Sequence, residues 1–227
     1  MNTATKSNVI RLSHVLKQEY GIISWYPRRD PINELVYTIL SQHTSDINSE
    51  RAFDQLITHF ASIESISNAD VLEIEECIKT AGLYKIKAVR IKEVLNIINN
   101  RTGGFDLSFL AEMPLQTAKN WLKSLPGIGP KTAAIVLCFS FGMPAMPVDT
   151  HIYRVSRRLG LIDLKTSVDK AHDLMEKIVA PDEIFPFHMY LIKHGRKICK
   201  ALKPRCNDCV VASMCPSIRT LAIFVCP

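Results

Sequence analysis

Leu125-Pro126-Gly127-Ile128-Gly129-Pro130-Lys131-Thr132-Ala133-Ala134 is the stretch that decides the fold. Apolar residues at helical spacing on either side predict two helices, over Leu115 to Ser124 and Lys131 to Phe141, which Pro126 and the two glycines force apart through a very short turn. That is a helix-hairpin-helix. Gly127 and Gly129 let the backbone come close to a ligand, and the second helix offers its unpaired N–H groups at its positive end. A phosphate or another anion fits there. Pro130 at the first helical position also suits a plain tight corner between helices, but the whole run from Leu125 to Thr132 favours the anion grip.

Lys131 lies in the first turn of the second helix, where the macrodipole disfavours a cation and nearby burial would favour the free amine. A solvated or phosphate-contacting lysine is one reading; an amine nucleophile, which needs a carboxylate close by, is the other. Asp149, in Val148-Asp149-Thr150-His151, supplies such a carboxylate. It also reads as the N-cap of a helix over Thr150 to Leu159, and the two roles are compatible, because backbone donors hold a capping aspartate ionised and fixed in direction.

Cys199, Cys206, Cys209 and Cys215 follow the spacing C-x6-C-x2-C-x5-C. Four thiols so close together imply a coordinated metal, and the spacing leaves both an iron–sulfur cluster and a tetrahedral zinc site open. A disulfide framework is the weaker account, since residues 1 to 24 carry no apolar core with a small-residue cleavage site, and the chain reads as cytoplasmic. Cys77 and Cys138 fall on apolar helical faces and read as core, whereas Cys226 sits in an apolar tail, Leu221 to Pro227, that has no reading.

The 227 residues, 47% hydrophobic, suffice for a substantial core without staples, and no apolar run reaches the length needed to span a bilayer. The formal net charge of +6 is modest, but six lysines and arginines fall between Lys193 and Arg205 with no acid among them. Lys200, Lys203 and Arg205 lie between the first two clustered cysteines, where a closed loop would present them together to phosphates. A merely solvated charge run is the alternative.

The pattern is helical throughout, and no strand is expected. Asp30-Pro31 caps a helix beginning near Ile32, Ser45-Asp46 caps another and Asn68 a third, while Gly82 and Gly103-Gly104 mark stops. Further helices fit Asn8 to Tyr20, Thr166 to Val179 and Phe185 to Lys197.

Taken together, the hairpin with its lysine, the downstream Val-Asp-Thr-His and the four-cysteine loop resemble the endonuclease III-like DNA glycosylases of the helix-hairpin-helix superfamily, from about Ile32 to Cys215. The resemblance implies an all-α, two-lobed fold. One lobe, residues 31–141, is a helical barrel carrying the hairpin at about 115–141; the other joins 1–30 to 142–227 and carries a [4Fe–4S] cluster within 199–215, with the DNA cleft between the lobes. The implied activity is excision of damaged, chiefly oxidised, pyrimidines from duplex DNA, with an associated abasic-site lyase. Lys131 would attack the sugar to form a Schiff base and Asp149 would stabilise the cationic sugar. The resemblance makes the four cysteines cluster ligands and places DNA contacts at Gly127, Gly129, Lys200, Lys203 and Arg205.

An enzyme that extrudes a base must fill the gap left behind. Leu83, in Gly82-Leu83-Tyr84, matches a family position that wedges into the duplex; its plainer reading is a core leucine after a helix stop. Where the family usually reads Leu-Ser-x-Gln-x-Thr-Asp, this chain has Leu40-Ser41-Gln42-His43-Thr44-Ser45-Asp46, so His43 stands at the place of a gap-filling glutamine. Either His43 or Gln42 fills the void, or the histidine is structural, and base specificity stays open with it. The expected partner is damaged or abasic double-stranded DNA, bound by a monomer that does not engage membranes and is nucleoid-associated in a bacterium or archaeon. A mismatch-directed or monofunctional glycosylase and a non-catalytic iron–sulfur damage sensor are the alternatives; Lys131 argues against the monofunctional one.

Overall fold

Asp30-Pro31 starts a helix as expected: the aspartate side chain accepts from Asn33 N at 3.1 Å, and Pro31 takes the first helical position. The computed structural model describes residues 3–218, with side chains from residue 6 onward, and every regular element among them is helical. In chain order the helices are α1 (Thr3–Tyr20), α2 (Pro31–Ser41), α3 (Asp46–Phe60), α4 (Ile63–Asn68), α5 (Val71–Cys77) and α6 (Tyr84–Thr102). They continue as α7 (Leu115–Lys123), α8 (Pro130–Phe141), α9 (Thr150–Arg158), α10 (Val168–Ile178) and α11 (Ile184–Lys197). None is long and apolar enough to cross a membrane. The tail bearing Cys226 lies outside the described residues.

Side-chain caps set most of the boundaries. Ser45 accepts from Asn48 N to start α3, and Ser167 accepts from Lys170 N to start α10, two residues later than Thr166. Asn68 does not cap a helix; it ends α4, and Asp70 starts α5 by accepting from Leu72 N at 2.8 Å. Asn68 is still in the last turn of α4, so the chain has not yet left one helix where it would have to cap the next.

Two compact units emerge. Tyr26–Met143 form one, and the described residues through Trp25 join those from Pro144 to Ile218 to form the other. In the first unit α2 packs on α3, α6 and α8, and α7 lies against α8. Leu35, Ile39 and Leu40 of α2, Leu56 of α3, Ile91 and Leu95 of α6, and Val136 and Leu137 of α8 are fully buried there. Residues 26–30, assigned by sequence to the other domain, are held to this unit: Arg28 and Arg29 pair with the buried Glu34 and lie over the Tyr37 ring. The second unit is discontinuous because α1 packs on α10 and α11, where Ser13 donates to Glu183 at 2.8 Å and Leu12 and Leu16 are buried.

Candidate functional site

The hairpin turn joins α7 to α8 and is built around a close approach. Gly127 has φ of +70°, and an added Cβ there would lie 2.0 Å from Arg90 Nε. Arg90 in turn donates from Nη1 to Gln42 Oε1 at 2.9 Å, while Gln42 Nε2 faces Gly127 O and Thr132 Oγ1, both at 3.3 Å. Gln42 is therefore spent on tying α2 to the hairpin. Gly129 differs: its backbone is extended, and a Cβ would meet nothing within 4 Å. Its small size leaves open space that a ligand can enter.

These two glycines give a paired prediction. Gly127→Ala is expected to destabilise the fold by roughly 1–3 kcal/mol, because a left-handed alanine must also displace Arg90. Gly129→Ala should stay near the parent in a urea melt. Equal melts for the two variants would show that the Arg90 packing does not matter.

Lys131 follows Pro130 in the first turn of α8, whose next three residues, Thr132, Ala133 and Ala134, are buried. Lys131 itself is exposed. The burial expected around its amine is absent because the helix turns Thr132 to Ala134, not position 131, into the core.

His43 and Leu83 stand on neighbouring turns of the same unit. Both are exposed and both have left-handed backbones, with φ of 53° and 52°. Leu83 is 57% exposed, so the core-leucine reading fails. A bulky side chain in this conformation is strained and persists only where its surroundings over-determine it. Lys87 is the neighbour that does so: 2% exposed, it donates from Nζ to Leu40 O at 2.7 Å, Thr44 Oγ1 at 2.7 Å and Ala81 O at 2.5 Å. Burial first, then Arg90, pushes its ammonium down to about 8.

In the other unit Asp149 caps α9, accepting from Ile152 N at 2.8 Å, and is half-buried. The strand of chain leading to it is clamped. Glu176 accepts from Met146 N at 2.8 Å, His172 Nδ1 sits 2.8 Å from Met146 O, and His188 Nδ1 sits 3.0 Å from Pro147 O. His172 Nδ1 also lies 3.3 Å from Val148 N, but one nitrogen cannot donate and accept at once, and the shorter contact makes it the donor to Met146 O.

Cys199, Cys206, Cys209 and Cys215 line one pocket, which Leu159, Ile198 and Pro204 share with Arg158, His194 and Arg205. Arg158 of α9 donates to Cys199 Sγ at 3.4 Å and to Lys200 O at 2.7 Å, and Arg154 donates to Cys199 O at 3.0 Å. The cysteine loop is thus fastened to the helix that Asp149 caps. His194 bridges Tyr20 Oη, 3.0 Å from its Nδ1, and Cys209 Sγ, 3.6 Å from its Nε2. Burial lowers His194 to about 4 and raises the Cys209 thiol to about 11. Lys200 and Lys203 are exposed on this loop; Arg205 is exposed but folds onto Asp208 at 2.7 Å, which occupies part of its guanidinium. Cys138 is buried as expected, whereas Cys77 is only half-buried, beside Glu73 and Glu76.

Residues 36–181 match the family described as HhH-GPD superfamily base excision DNA repair protein. The chain belongs to this superfamily. It is 34% identical over 202 residues to endonuclease III of Thermotoga maritima, covering 87% of this chain and 90% of that one. A non-covalent endonuclease III–DNA complex superposes with a TM-score of 0.82 at 27% identity, covering 98% of this chain and all of that one. A trapped endonuclease III–DNA covalent intermediate, in an estranged-adenine complex, gives 0.81 at 28% identity over 97% of this chain and 99% of that one. The all-α fold of this chain is the fold of the HhH-GPD superfamily.

Several residues of this HhH-GPD chain escaped the sequence reading. Arg90 under the hairpin, Lys87 between two turns, and Arg158 and His194 on the cysteine pocket lie on ordinary amphipathic helices and carry no local signal. Only the Gly127 side of the Arg90 contact was visible, as a glycine in a tight turn.

Proposed function

We propose that this chain is a base-excision-repair DNA glycosylase with an associated abasic-site lyase, acting on damaged pyrimidines in duplex DNA. The observation that carries the reading is Lys131: an exposed amine, two residues after an open glycine, at the positive end of α8, in a chain similar along nearly all its length to an enzyme trapped covalently on DNA. The helix end and Gly127–Gly129 hold a phosphate. Lys131 Nζ bonds to the sugar C1′ as the C1′–N bond breaks and the base takes the electron pair and a proton. Loss of the amine proton and opening of the ring leave a Schiff base. Removal of a C2′ proton then expels the 3′ phosphate, and hydrolysis frees the lysine. Asp149 is the carboxylate that stabilises the cationic sugar and accepts the amine proton. His43 and Leu83 are the side chains that enter the duplex, since Gln42 is held at the hairpin.

The cysteine pocket fits a [4Fe–4S] cluster. Its four thiols line a single space, and four thiolates are the donor set such a cluster takes. Cys199, Cys206, Cys209 and Cys215 would hold it, and its iron–thiolate bonds would cross-link the loop that presents Lys200 and Lys203. Cys206→Ser is expected to give colourless protein whose duplex affinity at moderate salt falls at least about tenfold. Normal affinity in colourless protein would remove the structural role.

Borohydride trapping of the parent protein on two labelled duplexes, one abasic and one carrying an oxidised thymine, tests the function. Covalent complexes on both are expected. Trapping on the abasic duplex alone would keep the lyase and redirect the search for the base to mismatches and other lesions; none on either would overturn the reading.

A further inference from the structure

Lys87 has no acidic partner among the described residues, yet it is 2% exposed. Burying an ammonium without a counter-charge is unfavourable unless its protons are all satisfied, and here three acceptors take them. The acceptors come from separate segments: Leu40 O at the end of α2, Thr44 Oγ1 just after His43, and Ala81 O just before Gly82-Leu83. The Thr44 hydroxyl bonds to Ala81 O as well, and a Cβ on Gly82 would lie 3.7 Å from Thr44 Oγ1 and 3.9 Å from His43 O. The two turns therefore abut, and one ammonium joins them. Each places an exposed side chain on a left-handed residue, a geometry that would relax if the contacts around it were lost.

We propose that Lys87 is a positioning residue that locks the His43 and Leu83 turns into one rigid paired probe of the duplex, acting on base opening and not on the amine chemistry. The inference rests on the reading of His43 and Leu83 as the residues that enter DNA. A neutral side chain of similar length, as in Lys87→Met, would take the ammonium from Leu40 O and leave Ala81 O to the Thr44 hydroxyl alone, loosening the tie between the turns, while the hairpin bearing Lys131 keeps its own ties through Arg90 and Gln42.

The test uses a duplex with 2-aminopurine opposite a tetrahydrofuran abasic analogue, at saturating protein, beside strand nicking at a natural abasic site. In Lys87→Met the 2-aminopurine fluorescence gain is expected to fall at least about fivefold, and nicking by a smaller factor; Thr44→Val should move both the same way but less. In the double variant Lys87→Met/Leu83→Ala the gain should fall no further than in Leu83→Ala alone, because Lys87 acts through that turn. An undiminished gain in Lys87→Met, nicking that falls as far as the gain, or effects that simply multiply would overturn the proposal. Should Lys87→Met fail to fold, Thr44→Val and its pairing with Leu83→Ala carry the same comparison. If Leu83→Ala and His43→Ala leave the gain at the parent's value, it is the reading of those two side chains that fails, and Lys87 with it.

Discussion

Lys131→Gln is expected to give no borohydride-trapped complex and to slow nicking of an abasic duplex by at least about a thousandfold, because no other group replaces the amine that forms the Schiff base. The side chain is exposed and the residues that anchor α8 follow it, so the substitution should leave thermal stability within about 0.5 kcal/mol. Duplex affinity should change little, as one charge is lost from a surface that also bears Gly127, Gly129 and the N–H groups of the helix end. That separation makes the variant informative: a fold and a grip that survive while covalent chemistry disappears. Nicking at the parent's rate would assign the amine elsewhere and return Lys131 to a phosphate contact.

The second large effect is at Asp149, where two roles can be pulled apart. An asparagine still offers Oδ1 to Ile152 N and remains a good cap, but it carries no charge. Asp149→Asn is therefore expected to keep the parent's urea midpoint while lowering single-turnover base excision by at least about a hundredfold. Asp149→Ala should lose the same rate and, in addition, about 1 kcal/mol of stability from the missing cap. If asparagine excised at the parent's rate, Asp149 would be a cap and nothing more. The clamp of His172, Glu176 and His188 on Met146–Val148 sets the backbone that delivers the side chain, so the asparagine should sit where the aspartate did.

Much of this molecule was written locally. The hairpin follows from Leu125 to Thr132, the starts of α2, α3 and α9 from Asp30, Ser45 and Asp149, and the gathering of four cysteines at one pocket from their short spacing. Asn68 shows where local reading slips: two residues able to cap a helix lie two positions apart, and the end of α4 takes the first and leaves Asp70 to cap α5. Gln42-His43 shows a harder limit. Sequence left the pair ambiguous, and the contacts divide it, with Gln42 bonded to Gly127, Thr132 and Arg90 and His43 turned outward in a left-handed backbone.

What sequence alone determined were features whose partners are near in the chain: caps, the turn between α7 and α8, the grouping of the four cysteines, and the family likeness they compose. Tertiary structure alone decided which amine is buried and which is exposed, since Lys87 and Lys131 both lie in the first turns of helices. The difference comes from acceptors supplied by α2 and by the turns beside Lys87, and from helix orientation at Lys131. Hydrogen-bond partners drawn from distant segments leave no periodic trace in the chain, because each partner is an ordinary backbone carbonyl or hydroxyl until the fold brings it within reach.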